Sequence, residues 1–154
     1  MIDLVYELRK HQMIDEHGTY SDLYFDTGYE LAGKVKFTQN DIREIQMAKA
    51  AIRAGVDILV KKAGIAFDEV DDCYLAGGFG TKIDIKKAAG IGLIPKELEV
   101  KTIPVGNTVL AGTKEVLLGR ISKDELEKIQ TMADVINLAE ENDFEELYLS
   151  YMDF

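Results

Sequence analysis

The segment from Thr38 to Gly64 constrains this chain more than any other, because it reads as one long, well-delimited helix. Thr38 followed by Asp41 has the spacing of an N-cap with an acid in the first turn. The helical pattern then runs to about Ala63 and stops at Gly64. Ile45, Ala48, Ile52, Val56 and Leu59 recur at helical spacing and read as its buried stripe. Gln46, Lys49 and Arg53 lie at i, i+3 and i+7, so they share a polar stripe bordering the apolar one. Such a border suits the rim of a cleft, where alkyl stems pack and polar heads reach a ligand. A solvated charged face accounts for the same spacing, and Asp41, Arg43 and Glu44 read as that.

Around this helix the chain alternates strand and helix signals. An amphipathic helix with Leu4, Val5 and Leu8 opens it, and His17-Gly18 turns it. Leu23–Phe25 and Lys34–Phe37 are short strand candidates, with Gly28 and Gly33 as breakers. Cys73–Ala76 is an apolar strand ending in Gly77-Gly78, followed by a helix over Ile85–Gly90. Val100–Val105 is a further strand, and a helix follows over Thr108–Leu118. Ser122 and Glu125 have capping-box spacing at the start of another helix. Val135–Leu138 reads as a last strand and Phe144–Met152 as a last helix. This alternation predicts a single α/β layered domain over residues 1–154.

Composition narrows the function classes. With 154 residues, 47% hydrophobic and 30% charged, the chain can bury a real core. The net charge of −10, without a dense Lys/Arg run, argues against a nucleic-acid partner. Cys73 is the only cysteine and the two histidines are His11 and His17, so neither a disulfide nor an iron–sulfur or zinc site is expected within these residues. Cys73 reads as a small buried hydrophobe. No apolar run reaches about 20 residues and no signal-peptide pattern is present, which predicts a cytoplasmic chain with no membrane partner.

Two loops could carry chemistry. A strand that ends in Gly-Gly and turns into a helix brings backbone close to a ligand, since glycine has no Cβ and tolerates positive φ. Exposed N–H groups at such a turn favour a phosphate. Leu75-Ala-Gly-Gly-Phe-Gly80 is therefore equally readable as a nucleotide-contacting loop and as a tight strand–helix turn. It lacks the Gly-x-Gly-x-x-Gly spacing of dinucleotide folds. Gly106-Asn107, after the next strand, repeats the idea more weakly, with Asn107 as an N-cap.

In combination, these segments resemble the reductive activators of corrinoid-dependent proteins. Thr38-Gln-Asn-Asp41-Ile and Gln46-Met-Ala-Lys49-Ala-Ala-Ile-Arg53-Ala-Gly55 resemble the long helix of that family. Leu75–Gly80 is similar to its adenosine loop. Ile91-Gly-Leu-Ile-Pro95, Val105-Gly-Asn107 and the ending Phe144 to Tyr151-Met-Asp-Phe154 follow in the family's order. The family belongs to the superfamily of acetate and sugar kinases, heat-shock chaperones and actin, whose fold is two ribonuclease-H-like lobes with ATP between them. The resemblance thus implies a C-terminal, actin-like lobe with a mixed sheet flanked by helices.

It also implies site residues. Gly77, Gly78, Phe79 and Gly80 would lie against the adenosine and nearby phosphates. Gln46, Lys49 and Arg53 fall at the spacing of a glutamate, lysine and serine that hold purine and ribose in heat-shock chaperones, with Gln46 and Arg53 as departures. ATP, with magnesium in the full-length protein, is the implied cofactor. The phosphate loops, their catalytic acid and the iron–sulfur domain of the family lie upstream of the matching region. The implied partners are a corrinoid protein and the protein's own N-terminal lobe, with a homodimer also open. The implied activity is ATP-driven reduction of Co(II) corrinoid to Co(I). An activator of 2-hydroxyacyl-CoA dehydratase, a kinase lobe, and a non-enzymatic acidic interaction module are the alternatives.

Overall fold

The computed structural model describes residues 1–154. Helix α1 (Ile2–Lys10) buries Val5 and Leu8, with Asp3 in its first turn and Arg9 and Lys10 in its last, complementing the helix dipole. Leu23–Phe25, expected as a strand, lies instead in the short helix α2 (Asp22–Phe25). As a strand it would have had no buried face, since Leu23 and Phe25 are both exposed. Tyr24 packs its ring between those of Tyr20 and Tyr29, with centroids 6.0 and 5.7 Å away. The hairpin forms one step later, from β1 (Tyr29–Glu30) and β2 (Lys36–Phe37), paired antiparallel with Tyr29 opposite Phe37.

The long helix α3 (Gln39–Ala63) has the expected ends. Asp41 N donates to Thr38 Oγ1 at 3.3 Å, Thr38 N donates to the Asp41 carboxylate at 2.7 Å, and Gly64 closes the helix in a left-handed conformation. Its buried face, however, is turned from the one the periodicity predicts. Of the expected stripe only Ile45 is fully inside; Val56 is half-buried, and Ala48, Ile52 and Leu59 are exposed. Ile42, Gln46, Lys49, Ala50, Ala54 and Ile58 are buried instead. The reason is that two layers cover α3. One is the main core; the other is the C-terminal segment, whose helix α8 (Phe144–Ser150) packs along α3. Small residues on α3 let that segment approach, and a Cβ added to Gly55 would lie 3.2 Å from Leu138.

Strand β3 (Cys73–Ala76) pairs in parallel with β4 (Thr102–Gly106), Cys73 opposite Thr102, with an irregularity between Leu75 and Ala76. Between them run α4 (Phe79–Lys82) and α5 (Ile85–Gly90). The crossover adds a helix, α4, where a loop was expected. Val100 belongs to the 3-10 turn Lys96–Lys101, so β4 starts two residues later than predicted. Helices α6 (Thr108–Leu117) and α7 (Lys123–Met132) follow, the latter opened by the expected Ser122/Glu125 capping box. Val135–Leu138 forms no strand; it has no neighbour to pair with, Val135 is exposed, and Leu138 begins a 3-10 turn. The α/β class holds, with parallel and antiparallel pairing carried by two separate two-stranded sheets. The core joins α1, the hairpin and the start of α3 to residues 88–98 through Val5, Leu8, Phe37, Ile42, Ala88 and Ile91.

Candidate functional site

The carboxyl ends of β3 and β4 lie side by side, and both turn on glycine. Gly77 has φ +74° and donates its N–H to the Gly106 carbonyl at 2.7 Å, while Gly106 itself has φ +67°. Each strand then enters a helix: Gly78 leads into α4, and Asn107 Oδ1 caps α6 by accepting from Leu110 N at 3.0 Å. In open α/β sheets the crevice beyond the carboxyl ends of parallel strands is where ligands are held.

The three glycines of this loop have different reasons to be glycine. Gly77 needs its left-handed φ. Gly80 is needed for packing: a Cβ there would stand 2.1 Å from the Leu75 carbonyl oxygen and 3.0 Å from Gly106 N. Gly78 is in the ordinary right-handed helical conformation, φ −61° and ψ −38°, and a Cβ added to it meets nothing within 4 Å. Neither its backbone nor its neighbours within the chain require the missing side chain.

Phe79, half exposed, is the wall between two apolar hollows. The smaller, about 100 Å³, is closed by Ile52, Val56, Cys73, Leu75 and residues around Leu93. Cys73 is half-buried there. The larger, about 340 Å³, is bounded by Phe79, Ile45, Ala48, Ile52, Leu93 and Lys49. The glycine loop and the polar stripe of α3 therefore meet on one cavity, through Phe79 and Lys49.

The stripe itself is not a rim. Gln46 is 0% and Lys49 2% exposed. What covers them is the stretch following α8. Gln46 Nε2 donates to the carbonyls of His17 at 3.0 Å and Met152 at 2.8 Å, and its Oε1 accepts from Arg43 at 2.7 Å. The Lys49 ammonium donates to the Asp153 carbonyl and lies 5.2 Å from the centre of the Phe154 ring. Burial pulls the Lys49 pKa down to about 8, with the neighbouring Arg53 guanidinium adding to the effect and Asp153 opposing it. Arg53 stacks between Phe67 and Tyr151, at 5.3 and 4.8 Å, and pairs with Asp57 at 3.4 Å. Burial raises the Tyr151 hydroxyl above its ordinary pKa, reinforced by its bond to Asp57 and opposed by Arg53.

These partners have no local signature in the sequence. Met152, Asp153 and Phe154 contact residues more than a hundred positions away, and Tyr151 reaches back almost as far, to Arg53. The acidic stretch 140–146 is partly tied down: Lys62 Nζ lies 2.8 Å from Glu141, and Lys61 binds Asp143. No helix of the structure is long and apolar enough to cross a membrane.

Comparison with known proteins decides the family. A family model described as the C-terminal domain of RACo, the ASKHA domain, matches residues 1–154. The chain belongs to this family. As an ASKHA, or actin-like, domain it is 32% identical over 137 residues to the corrinoid activation enzyme RamQ of Eubacterium limosum, covering 88% of this chain and 23% of that protein. It is 28% identical over 122 residues to the Co(II) methylated amine-specific corrinoid protein reductase of Methanosarcina barkeri, covering 78% and 22% respectively. A solved reductive activator for corrinoid, iron-sulfur protein superposes on 99% of this chain and 27% of its own length, with a TM-score of 0.80 and 26% identity. The ASKHA domain thus spans about a quarter of the length of these relatives.

Proposed function

We propose that this chain is the nucleotide-binding C-terminal lobe of a cytoplasmic, ATP-dependent reductive activator that returns Co(II) corrinoid proteins to Co(I) for methyl transfer. The relatives' names support the corrinoid partner over a dehydratase activator, a kinase or an interaction module. The observation that carries the nucleotide part is Gly78. A glycine in helical conformation with open space at its Cβ position is unexplained by its own chain and explained by a ligand that needs the backbone bare.

The residues fit an adenine nucleotide in three ways. Gly77 and Gly78 present bare backbone beyond the strand ends, and Gly80 holds α4 against β3 and β4 so that the loop keeps its place. Phe79 offers half of its ring as an apolar surface for a base. Lys49 supplies a cation on the wall of the Phe79 cavity, while Gln46 and Arg53 fix the helix stripe that carries it. Bound ATP would supply the free energy of phosphoanhydride hydrolysis for the uphill one-electron reduction. The electron would come from an iron–sulfur domain and the phosphate-side groups and magnesium from the N-terminal lobe, both in the upstream part of the complete protein.

The test is calorimetry of ATP and ADP binding to the complete protein carrying Gly78→Val. A branched side chain at that position should weaken binding at least tenfold with the fold intact. Unchanged affinity would return the loop to a plain strand–helix turn.

A further inference from the structure

Lysine is costly to bury, and this chain buries one beside a cavity with a ring and a carbonyl, and no direct carboxylate contact, to receive it. The segment that supplies both is fastened from several sides. Phe154 N donates to the Glu16 carbonyl at 2.8 Å, and Arg9 donates to the Phe154 carbonyl at 3.3 Å. His17 Nδ1 lies 2.9 Å from the Asp153 carboxylate. Tyr151 is stacked on Arg53. The ammonium has three N–H donors, and the Asp153 carbonyl takes one, so it keeps donor capacity while its position is fixed. An unrestrained lysine at the same place would sweep many rotamers.

We propose that Tyr151–Phe154 is a positioning strap for the nucleotide site: the Phe154 ring and the Asp153 carbonyl hold the Lys49 ammonium at the wall of the Phe79 cavity, charged and pointed. This rests on the reading of Lys49 as a nucleotide contact. The strap residues touch Lys49, not the nucleotide, and act through it. The charged groups around Lys49 are Glu44, which borders the same cavity, and Arg53 on α3, Asp153 on the strap, and His17 and Arg9 behind the strap. The side formed by Gly92 and Leu93 brings no ionisable group, and Lys49 Nζ would lie 3.5 Å from a Cβ on Gly92.

The experiment is ADP affinity of the complete protein measured by calorimetry between about pH 7 and 9.5, above the titration range of the nucleotide phosphates. Wild-type affinity should fall several-fold with a midpoint near the Lys49 pKa of about 8. Phe154→Leu keeps the apolar packing and removes the electron-rich ring face. The ammonium then loses a partner without gaining water, so the midpoint should move down by about one pH unit and affinity near neutrality fall roughly 3- to 10-fold. Phe154→Tyr should restore both. Lys49→Met should bind weakly at every pH. If Phe154→Leu does not fold, Phe154→Met replaces it. A Phe154→Leu protein with wild-type affinity and midpoint, beside a weak Lys49→Met, overturns the strap while leaving Lys49 in the site. Wild-type binding by both Lys49→Met and Gly78→Val overturns the site reading and the strap with it.

Discussion

Substituting alanine for Gly80 should be among the most damaging single-methyl additions this chain can suffer. The new Cβ would stand 2.1 Å from the backbone oxygen of Leu75. A carbon normally approaches a carbonyl oxygen no closer than about 3.3 Å. Roughly 1.2 Å (3.3 less 2.1) must therefore open between α4 and β3. No flexible side chain can absorb it, because the second nearest residue is Gly106, whose backbone N would lie 3.0 Å away. Moving the two apart also stretches the bond from Gly77 N to the Gly106 carbonyl, now 2.7 Å. Overpacking costs about 1–3 kcal/mol, and a weakened hydrogen bond about 1 kcal/mol more. With both walls made of backbone the upper range applies, about 4 kcal/mol, or a fall of roughly 8–16 °C in melting temperature for a chain of this size. Chemical denaturation read by circular dichroism measures it. Gly78→Ala is the internal control: its backbone is already helical and its Cβ position open, so it should be stable to within about 1 kcal/mol of wild type, on the stabilising side. A Gly80→Ala protein within 1 kcal/mol of wild type, or a Gly78→Ala protein that loses as much as Gly80→Ala, would refute the separation of roles in this loop.

Other consequences can be measured in the same way. Thr38→Ala removes the acceptor for Asp41 N and should cost about 1 kcal/mol of unfolding free energy, read from a lower denaturant midpoint. The Thr38 hydroxyl and N–H hold the Asp41 carboxyl below its ordinary pKa, so its contribution is present above that value and is lost as pH falls through the folded pKa; acid titration of wild type against Asp41→Asn reads this. His17 is held above its ordinary pKa by Asp153, first through their hydrogen bond and then through charge, so its contribution is complete below about pH 6.5 and fades as pH rises through the folded pKa. An NMR titration should place the His17 midpoint above 6.5, and Asp153→Asn should bring it back down. Lys49→Met exchanges a buried cation for an apolar chain of similar length and should leave the fold at least as stable at neutral pH.

What was legible in the sequence was local. The Thr38/Asp41 box, the Gly64 stop, the Ser122/Glu125 box and the strand ahead of Gly77 all announce themselves within a few residues, and all are present. What was hidden depends on neighbours remote in sequence. Periodicity places apolar side chains inward, so it reads Ile52 and Leu59 as core, and Gln46 and Lys49 as border. The C-terminal segment reverses this by laying carbonyls and a ring over the polar pair, at separations of 104 and 106 residues. Leu23–Phe25 and Val135–Leu138 have strand-like residues but no edge to join. In the candidate site the glycine loop was visible as a motif. That Gly80 serves packing while Gly78 is spare could not be read, because it depends on where the backbone of Leu75 and Gly106 comes to lie.

The fastening of residues 151–154 onto residues 9, 16 and 17 has a consequence for folding. Gln46 finds the His17 carbonyl and Arg43 earlier in the chain, but the carbonyl and ring that receive Lys49 belong to residues 153 and 154, so this face of α3 is finished only when that stretch docks. Closing so large a loop costs only slightly more than closing one half as long, about 0.6 kcal/mol per doubling. It does make the final docking a late and long-range step. Deleting residues 151–154 would leave every helix and strand in place, yet expose the Lys49 ammonium and part of Gln46 to water. Completion of the domain thereby depends on these four residues as much as on any of its helices.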